Sequence, residues 1–350
     1  MTQNFPTGAV SRTSDTAGKV LICGSVAFDV IMEFEGHFRD HILPEQIHIL
    51  NVSFLVPQLR REFGGCAGNI AYNMRLLGDV GCPMATVGRD FAPYREWLIG
   101  AGVPLEHVRA VDSEFTAQAF ITTDLDNNQF TAFHPGAMQH AHLNRVSEAG
   151  RVALGVVAPD GRQGMIEHAA QFAAAGIPFL FDPGQGLPMF AGEDLKRFVE
   201  QATWVAVNDY EWRVIEQKTG WSERQVCERV AALVVTRGAL GSVIHTREGR
   251  IEIPCAKAGA LVDPTGCGDA YRAGLLHGLL RGLDWESTGR IAAVMGAIKI
   301  ESRGTQNHRV TRAQIAQRLA ENFGEPAARA AFGAASSREM SHVQATGTNR

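Results

Sequence analysis

Residues 262–274 read VDPTGCGDAYRAG. They gather Asp263, Pro264, Thr265, Gly266, Gly268 and Asp269 just ahead of a helical run, AYRAGLLHGLL. A helix N-terminus carries unpaired N–H groups and a partial positive charge, which suits phosphate. Gly266 and Gly268 let the backbone approach an anion with no Cβ in the way. Asp269 does not fit a pure anion site, because a carboxylate repels phosphate. Two readings of it stand at this point. It complements the helix dipole, a contribution of about 0.3–1 kcal/mol. Or it is a base that takes a proton from a hydroxyl as that hydroxyl attacks phosphorus.

Working outward, short apolar runs alternate with helical patterns. KVLICGS, PMATVG, VALGVVAP, FLFDPG, TWVAVND and ALVVTRG are rich in Val, Ile and Leu and end on turn residues. AGNIAYNMRLLG, YREWLIGAG, MIEHAAQFAAAG and ERQVCERVAA lie between them as helix candidates. This alternation predicts an α/β fold with a mainly parallel sheet covered on both faces. GSVIHTREGRIEIPC reads as a β-hairpin around its REG turn. Ligands of open α/β sheets bind beyond the carboxyl ends of the strands. Several polar or glycine-rich stretches fall at such ends: TRGALG (236–241), NDYEW with Asn208 and Glu211, GGCAGN (64–69), and GSVAFD, which places Asp29 just beyond the first strand. They fit one cleft. There is no Walker-type G-x-x-x-x-G-K-[ST] and no H-R-D or D-F-G.

Composition narrows the class. The chain has 350 residues, 45% hydrophobic and 20% charged, with formal net charge −4. That excludes a basic nucleic-acid binder and a wholly disordered chain. No run of about 18 apolar residues occurs, so no membrane span is expected. The six cysteines form no C-x-x-C pair, consistent with a reducing cytoplasm. Residues 1–18 read as a flexible leader without a signal core, and 334–350 as a polar flexible tail. Residues 32–57 and 114–133 break the alternation and read as a small projecting β lid.

The motifs together resemble the ribokinase-like (PfkB) sugar and nucleoside kinases. DPTGCGDAYRAG is similar to that family's C-terminal signature and GGCAGNIAYNMRLLG to its N-terminal one, and the resemblance runs from about Lys19 to Gly333. It implies a three-layer α/β/α domain with a β lid. It implies that Asp269 is the catalytic base and that the amides of Gly266, Cys267 and Gly268 form the anion hole. The family's usual Ala between the glycines is Cys267 here. Asn208 and Glu211 fall on the N-x-x-E motif that organises Mg²⁺ and phosphate, with Glu211 acting on the metal indirectly. Thr236, Arg237, Gly238 and Thr265 fall on ATP-binding positions, and Asp29, Gly65 and Asn69 on substrate positions. Asp263 falls beside a monovalent-cation site, so K⁺ is a further expected ion. The lid segments can pair two subunits in this family, which implies a homodimer in some members.

Within the family the chain looks closest to bacterial adenosine kinases, which sandwich the purine between lid aromatics. Phe133 matches one of those positions. The other is Ala119, with Phe120 one residue along. The expected reaction is therefore ATP-dependent phosphorylation of the adenosine 5′-hydroxyl to AMP. A broad nucleoside kinase, a sugar kinase and a ligand-binding regulator that has lost catalysis are the alternatives. In HPGAMQHAH, which holds His134, His140 and His142, the H-x-H pair could bind zinc but has no obvious third ligand, so the stretch reads as a surface loop. Cys66 and Cys267 read as packing residues rather than redox sites, and Trp97, Trp204 and Trp212 as packing rather than base-stacking residues. Arg272 reads equally as a phosphate ligand or as a paired arginine.

Overall fold

A computed structural model of the chain describes residues 18–42, 52–126 and 128–333. In chain order these form β1 (Lys19–Cys23), β2 (Ala27–Glu33), β3 (Gln58–Gly64), α1 (Cys66–Leu77), β4 (Gly81–Val87), α2 (Ala92–Gly100), β5 (Val108–Ala110), β6 (Ala117–Thr123) and β7 (Gln129–His134). Then come β8 (Val152–Val157), α3 (Arg162–Ala174), β9 (Phe179–Phe181), α4 (Gly192–Gln201), β10 (Trp204–Asn208), α5 (Asp209–Thr219), α6 (Glu223–Cys227) and β11 (Ala232–Thr236). The chain continues through β12 (Ser242–His245), β13 (Arg250–Ile253), α7 (Cys267–Arg281), α8 (Trp285–Ile300), α9 (Arg312–Phe323) and α10 (Glu325–Phe332).

Alternation inside single strands builds the layers. Val20 and Ile22 of β1 join one apolar cluster and Leu21 and Cys23 the other. In β11, Ala232 and Val234 face the first cluster and Leu233 and Val235 the second. A strand buried on both faces reads as an unbroken apolar run for this reason. The first cluster holds α1, α7, α8 and α9 through Ile70, Met74, Leu275, Ile291, Met295 and Ile315. The second holds α3, α4, α5 and α6 through Met165, Phe172, Phe198, Ile215 and Val226. The sheet order is β13-β12-β11-β10-β9-β8-β1-β4-β5. Every pairing from β11 to β5 is parallel, and the expected hairpin β12–β13 closes the sheet antiparallel.

The lid is a four-stranded sheet ordered β3-β2-β6-β7. Its second segment lies where expected. Beside the expected 32–57, β2 runs from Ala27 to Glu33 and β3 starts at Gln58. The connection between them packs by aromatic contact, with Phe38 against Phe54 at 4.9 Å and against Phe130 at 4.6 Å. Asp29, expected just past β1, therefore sits inside lid strand β2. ERQVCERVAA is helical only over Glu223–Cys227 before it turns into β11. Residues 43–51, most of the leader and the whole tail lie outside the described residues. Among the described residues no helix is long and apolar enough to cross a membrane.

Candidate active site

Strands β9 and β10 meet the start of α7, where Arg272 reaches Asp182 and the Ala206 carbonyl. Gly266 takes the N-cap of α7 with φ 80°, a conformation that glycine adopts without a steric cost. Across the cleft Gly65 precedes α1 with φ 84°, and a Cβ there would lie 2.6 Å from the Ala27 nitrogen. Only glycine lets the β3–α1 turn press on the β1–β2 connection. Ser25 Oγ accepts the Cys66 N–H at 3.1 Å and locks that turn.

Asp269 lies in the first turn of α7. Asn69 of α1 donates Nδ2 to Asp269 Oδ2 at 2.8 Å. Gln306 fixes which way the Asn69 amide points, because its Nε2 donates to Asn69 Oδ1 at 2.9 Å. Gln306 in turn accepts Trp97 Nε1–H at 2.9 Å and also donates to the Tyr94 hydroxyl. Tyr94 passes its own proton to the Gly64 carbonyl at 2.8 Å. The chain Trp97–Gln306–Asn69–Asp269 is thus satisfied at each step. Desolvation pushes the Asp269 carboxyl up to about 7, against the Asn69 hydrogen bond that lowers it. A carboxyl poised there is suited to accept a proton at neutral pH.

Arg272, one turn along α7, is 5% exposed and forks onto Asp182 at 3.0 and 2.9 Å. It is a paired arginine, not a free phosphate ligand. Asp182 follows β9 directly, and its place after the FLF run is the only signal the sequence carries for it. Removing one partner of such a buried pair costs about 3–5 kcal/mol.

Asn208 and Glu211 cap α5 reciprocally. Glu211 N–H donates to Asn208 Oδ1 and Asn208 N–H to Glu211 Oε2, each at 2.8 Å. The pair is thus a capping box in its own right. Burial, with Asp182 nearby, pushes the Glu211 carboxyl up. Thr236 ends β11 with its hydroxyl on the Val207 carbonyl at 3.3 Å, and Arg237 bonds Glu252 at 3.1 Å. Gly238, with φ 56°, turns the chain there. In the α7 turn, the Cys267 N–H already bonds the Pro264 carbonyl at 3.1 Å, so of the three expected amides this one is engaged within the turn. The Thr265 N–H goes to Asp263 Oδ1 at 2.9 Å.

The lid brings the remaining candidates together. Asp29 pairs in register with Ala119 and Ala119 with Phe133, so all three share one face of the small sheet. Burial, with Glu62 and Asp263 adding repulsion, pushes the Asp29 carboxyl up to about 6. Phe120, one residue along, falls on the opposite face and does not stand in for an aromatic at 119. Phe133 is 50% exposed.

The set-aside residues behave as packing. Burial holds the Cys66 thiol well above its ordinary value and Cys267 up to about 11, so neither is a ready thiolate. Trp212 is buried in the second cluster and Trp204 packs on the first.

The pfkB family of carbohydrate kinases matches this chain over residues 24–312. The chain belongs to that family. A nucleoside kinase of Methanocaldococcus jannaschii is 33% identical over 303 residues, covering 86% of this chain and 96% of that one. The nucleoside kinase of Burkholderia thailandensis, solved with inosine, superposes with TM-score 0.80 at 52% identity, covering 87% of this chain and 98% of that one. The same enzyme solved with ADP and inosine gives TM-score 0.78 at 54% identity, covering 87% and 96%.

Proposed function

We propose that this kinase transfers the γ-phosphoryl of ATP to the 5′-hydroxyl of nucleosides, taking adenosine and inosine alike rather than adenosine alone. The observation that carries this is the placement of Asp269. It is buried at a helix mouth, oriented by Asn69 and poised near neutrality; Asp29 and Phe133 share one lid face, and the carboxyls of Asp29 and Asp269 both bear on the buried Tyr94 hydroxyl. Asp29 takes the ribose diol, assisted by the Gly65 turn. Phe133 offers one aromatic wall to the base. Ala119, its cross-strand neighbour on that face, supplies no second aromatic wall, which favours room for 6-oxo as well as 6-amino purines.

In the reaction, Asp269 accepts the 5′-hydroxyl proton as the O5′–Pγ bond forms and the bond from Pγ to the bridging oxygen of ADP breaks. The N–H groups of Gly266 and Gly268 face the transferred phosphoryl at the positive end of α7. Thr236, Arg237, Gly238 and Thr265 border the nucleotide. Mg²⁺ suits this donor set: the cap uses Oε2 of Glu211, and Asp182 and Asp209 add negative charge there against the single guanidinium of Arg272. When bound, Mg²⁺ offsets the charge of the ATP phosphates, with Glu211 holding it through water. The lid, closed over the ribose, keeps water from competing as acceptor. This reading implies a cytoplasmic enzyme of nucleoside salvage, and an exposed edge strand of the lid such as β7 would offer the surface through which two subunits pair.

The test is ADP release with ATP and Mg²⁺ over adenosine, inosine, cytidine, ribose and fructose. Purine nucleosides are expected to give the highest kcat/KM. Ribose or fructose as best substrate would move the enzyme to the sugar-kinase branch, and no turnover on any acceptor would favour a silent regulator.

A further inference from the structure

The K⁺ expected beside Asp263 does not suit the donors found there. Asp263 Oδ1 accepts the Thr265 N–H and Oδ2 the Gly304 N–H, both at 2.9 Å. The Asp263 carbonyl is also taken, at 2.8 Å, by the ammonium of Lys299. A monovalent cation would have to share the Asp263 carbonyl with the ammonium of Lys299, and two like charges at one oxygen repel. Lys299 supplies the charge instead.

Lys299 stands in the last turn of α8 and is 0% exposed. Lysine is almost never fully buried without a partner. Here both of its hydrogen bonds run to carbonyl oxygens, those of Asp263 and, at 3.0 Å, Ser302. An ammonium is a compact point charge with donors on every side, so it satisfies carbonyls as an alkali ion does. A bland role exists, since a cation in the last turn of a helix complements the dipole of that helix. That role needs neither full burial nor a reach of 36 residues back to the loop that opens α7. The same two loops are stitched again by Gly304 on Asp263, and Thr305 abuts Gly266, 3.1 Å from where a Cβ would stand. The ammonium therefore holds the loop that opens α7, the turn assigned above to the transferred phosphoryl.

We infer that Lys299 is a built-in monovalent cation for the anion-binding turn, so that this kinase runs without K⁺. The inference rests on the kinase reading of that turn. It is tested on the full-length protein with ATP, Mg²⁺ and inosine, in chloride salts of K⁺, Na⁺, NH₄⁺ or tetramethylammonium. At constant ionic strength, wild-type kcat/KM for ATP is expected to agree across the four within ~twofold. Lys299→Met keeps the length and apolar stem and deletes the charge. It is expected to lose about 10- to 100-fold in tetramethylammonium, at or below the scale of one lost oxyanion donor, and to recover in part with K⁺ or NH₄⁺. Strong K⁺ stimulation of the wild type overturns the inference. So does a folded Lys299→Met that keeps full activity, or one whose loss no cation restores. Should Lys299→Met fail to fold, the wild-type salt series still decides the question. A wild type inactive on every nucleoside in every salt would instead strike the nucleoside-kinase reading.

Discussion

Replacing Asn69 with leucine separates two roles for that residue. Family resemblance places Asn69 on a substrate hydroxyl, whereas here its amide is spent on Asp269 Oδ2 at 2.8 Å. A hydrogen bond to a charged acceptor contributes roughly 1.5–3 kcal/mol. That bond favours the ionised carboxylate, so its loss raises the Asp269 pKa. At 1.36 kcal/mol per unit, the rise is about 1–2 units. Starting from about 7, the acid limb of the rate profile moves toward ~8–9. At pH 7 the ionised fraction then falls about 5- to 50-fold, and most of the activity returns by about pH 9.5. Leucine is close in volume, and the Gln306 amide retains its Tyr94 partner, so the buried site keeps its packing. The assay is ADP release with saturating inosine from pH 5.5 to 9.5, with thermal unfolding as a check on folding. A uniform loss at every pH, with KM for inosine raised and the limb unmoved, would refute the reasoning and return Asn69 to substrate binding.

Asp269→Asn keeps the side-chain shape and removes the base, so kcat is expected to fall by about 10²–10⁴ with ATP affinity retained; wild-type turnover would remove Asp269 from catalysis. Asp29→Ala deletes a charge-assisted diol contact and is expected to weaken nucleoside binding about 10- to 150-fold, read by calorimetry against an ATP analogue, where equal loss for both ligands would tell against a ribose contact. Phe133→Ala should cost adenosine and inosine about 1–3 kcal/mol in kcat/KM, while any ribose activity stays level; unchanged adenosine kinetics would end the stacking role. Asp160 is 1% exposed with Oδ2 lacking a partner, and burial raises its carboxyl to about 8. The folded state therefore holds a proton that the unfolded chain has lost, and stability falls as pH rises from about 4 to 8. Asp160→Asn, which cannot ionise, should gain more in Tm over wild type at pH 8 than at pH 5, and an equal or smaller difference at pH 8 would show that Asp160 ionises freely.

Much of the α/β layering was legible because strands buried on both faces read as unbroken apolar runs, and each of the six expected runs is a strand of the large sheet. The signature glycines were legible because a positive φ or a close approach admits no other residue, as at Gly65 and Gly266. Helices α4, α5 and α8 to α10 and short β5 were not among the expected elements. The small residues of α8, such as Ala292 and Ala297, pack among other helices and leave no polar face to set the period. The lid boundaries shifted for a related reason. Asp29 and Glu62 interrupt β2 and β3 with charges facing the cleft, so neither strand shows a clean alternation.

What the sequence determined by itself is the family and the residue types at the helix mouth, since local backbone geometry and motif spacing are written in neighbouring positions. What only the tertiary structure decided are the partnerships across the cleft. Asn69 meets Asp269 over 200 positions and Gln306 over 237, and Arg272 is claimed by Asp182 over 90. Lys299 reaches the α7 turn from the end of a different helix. Such contacts depend on how helices pack on the sheet, and the energy that orients a buried carboxylate comes from the groups that packing happens to bring within about 3 Å.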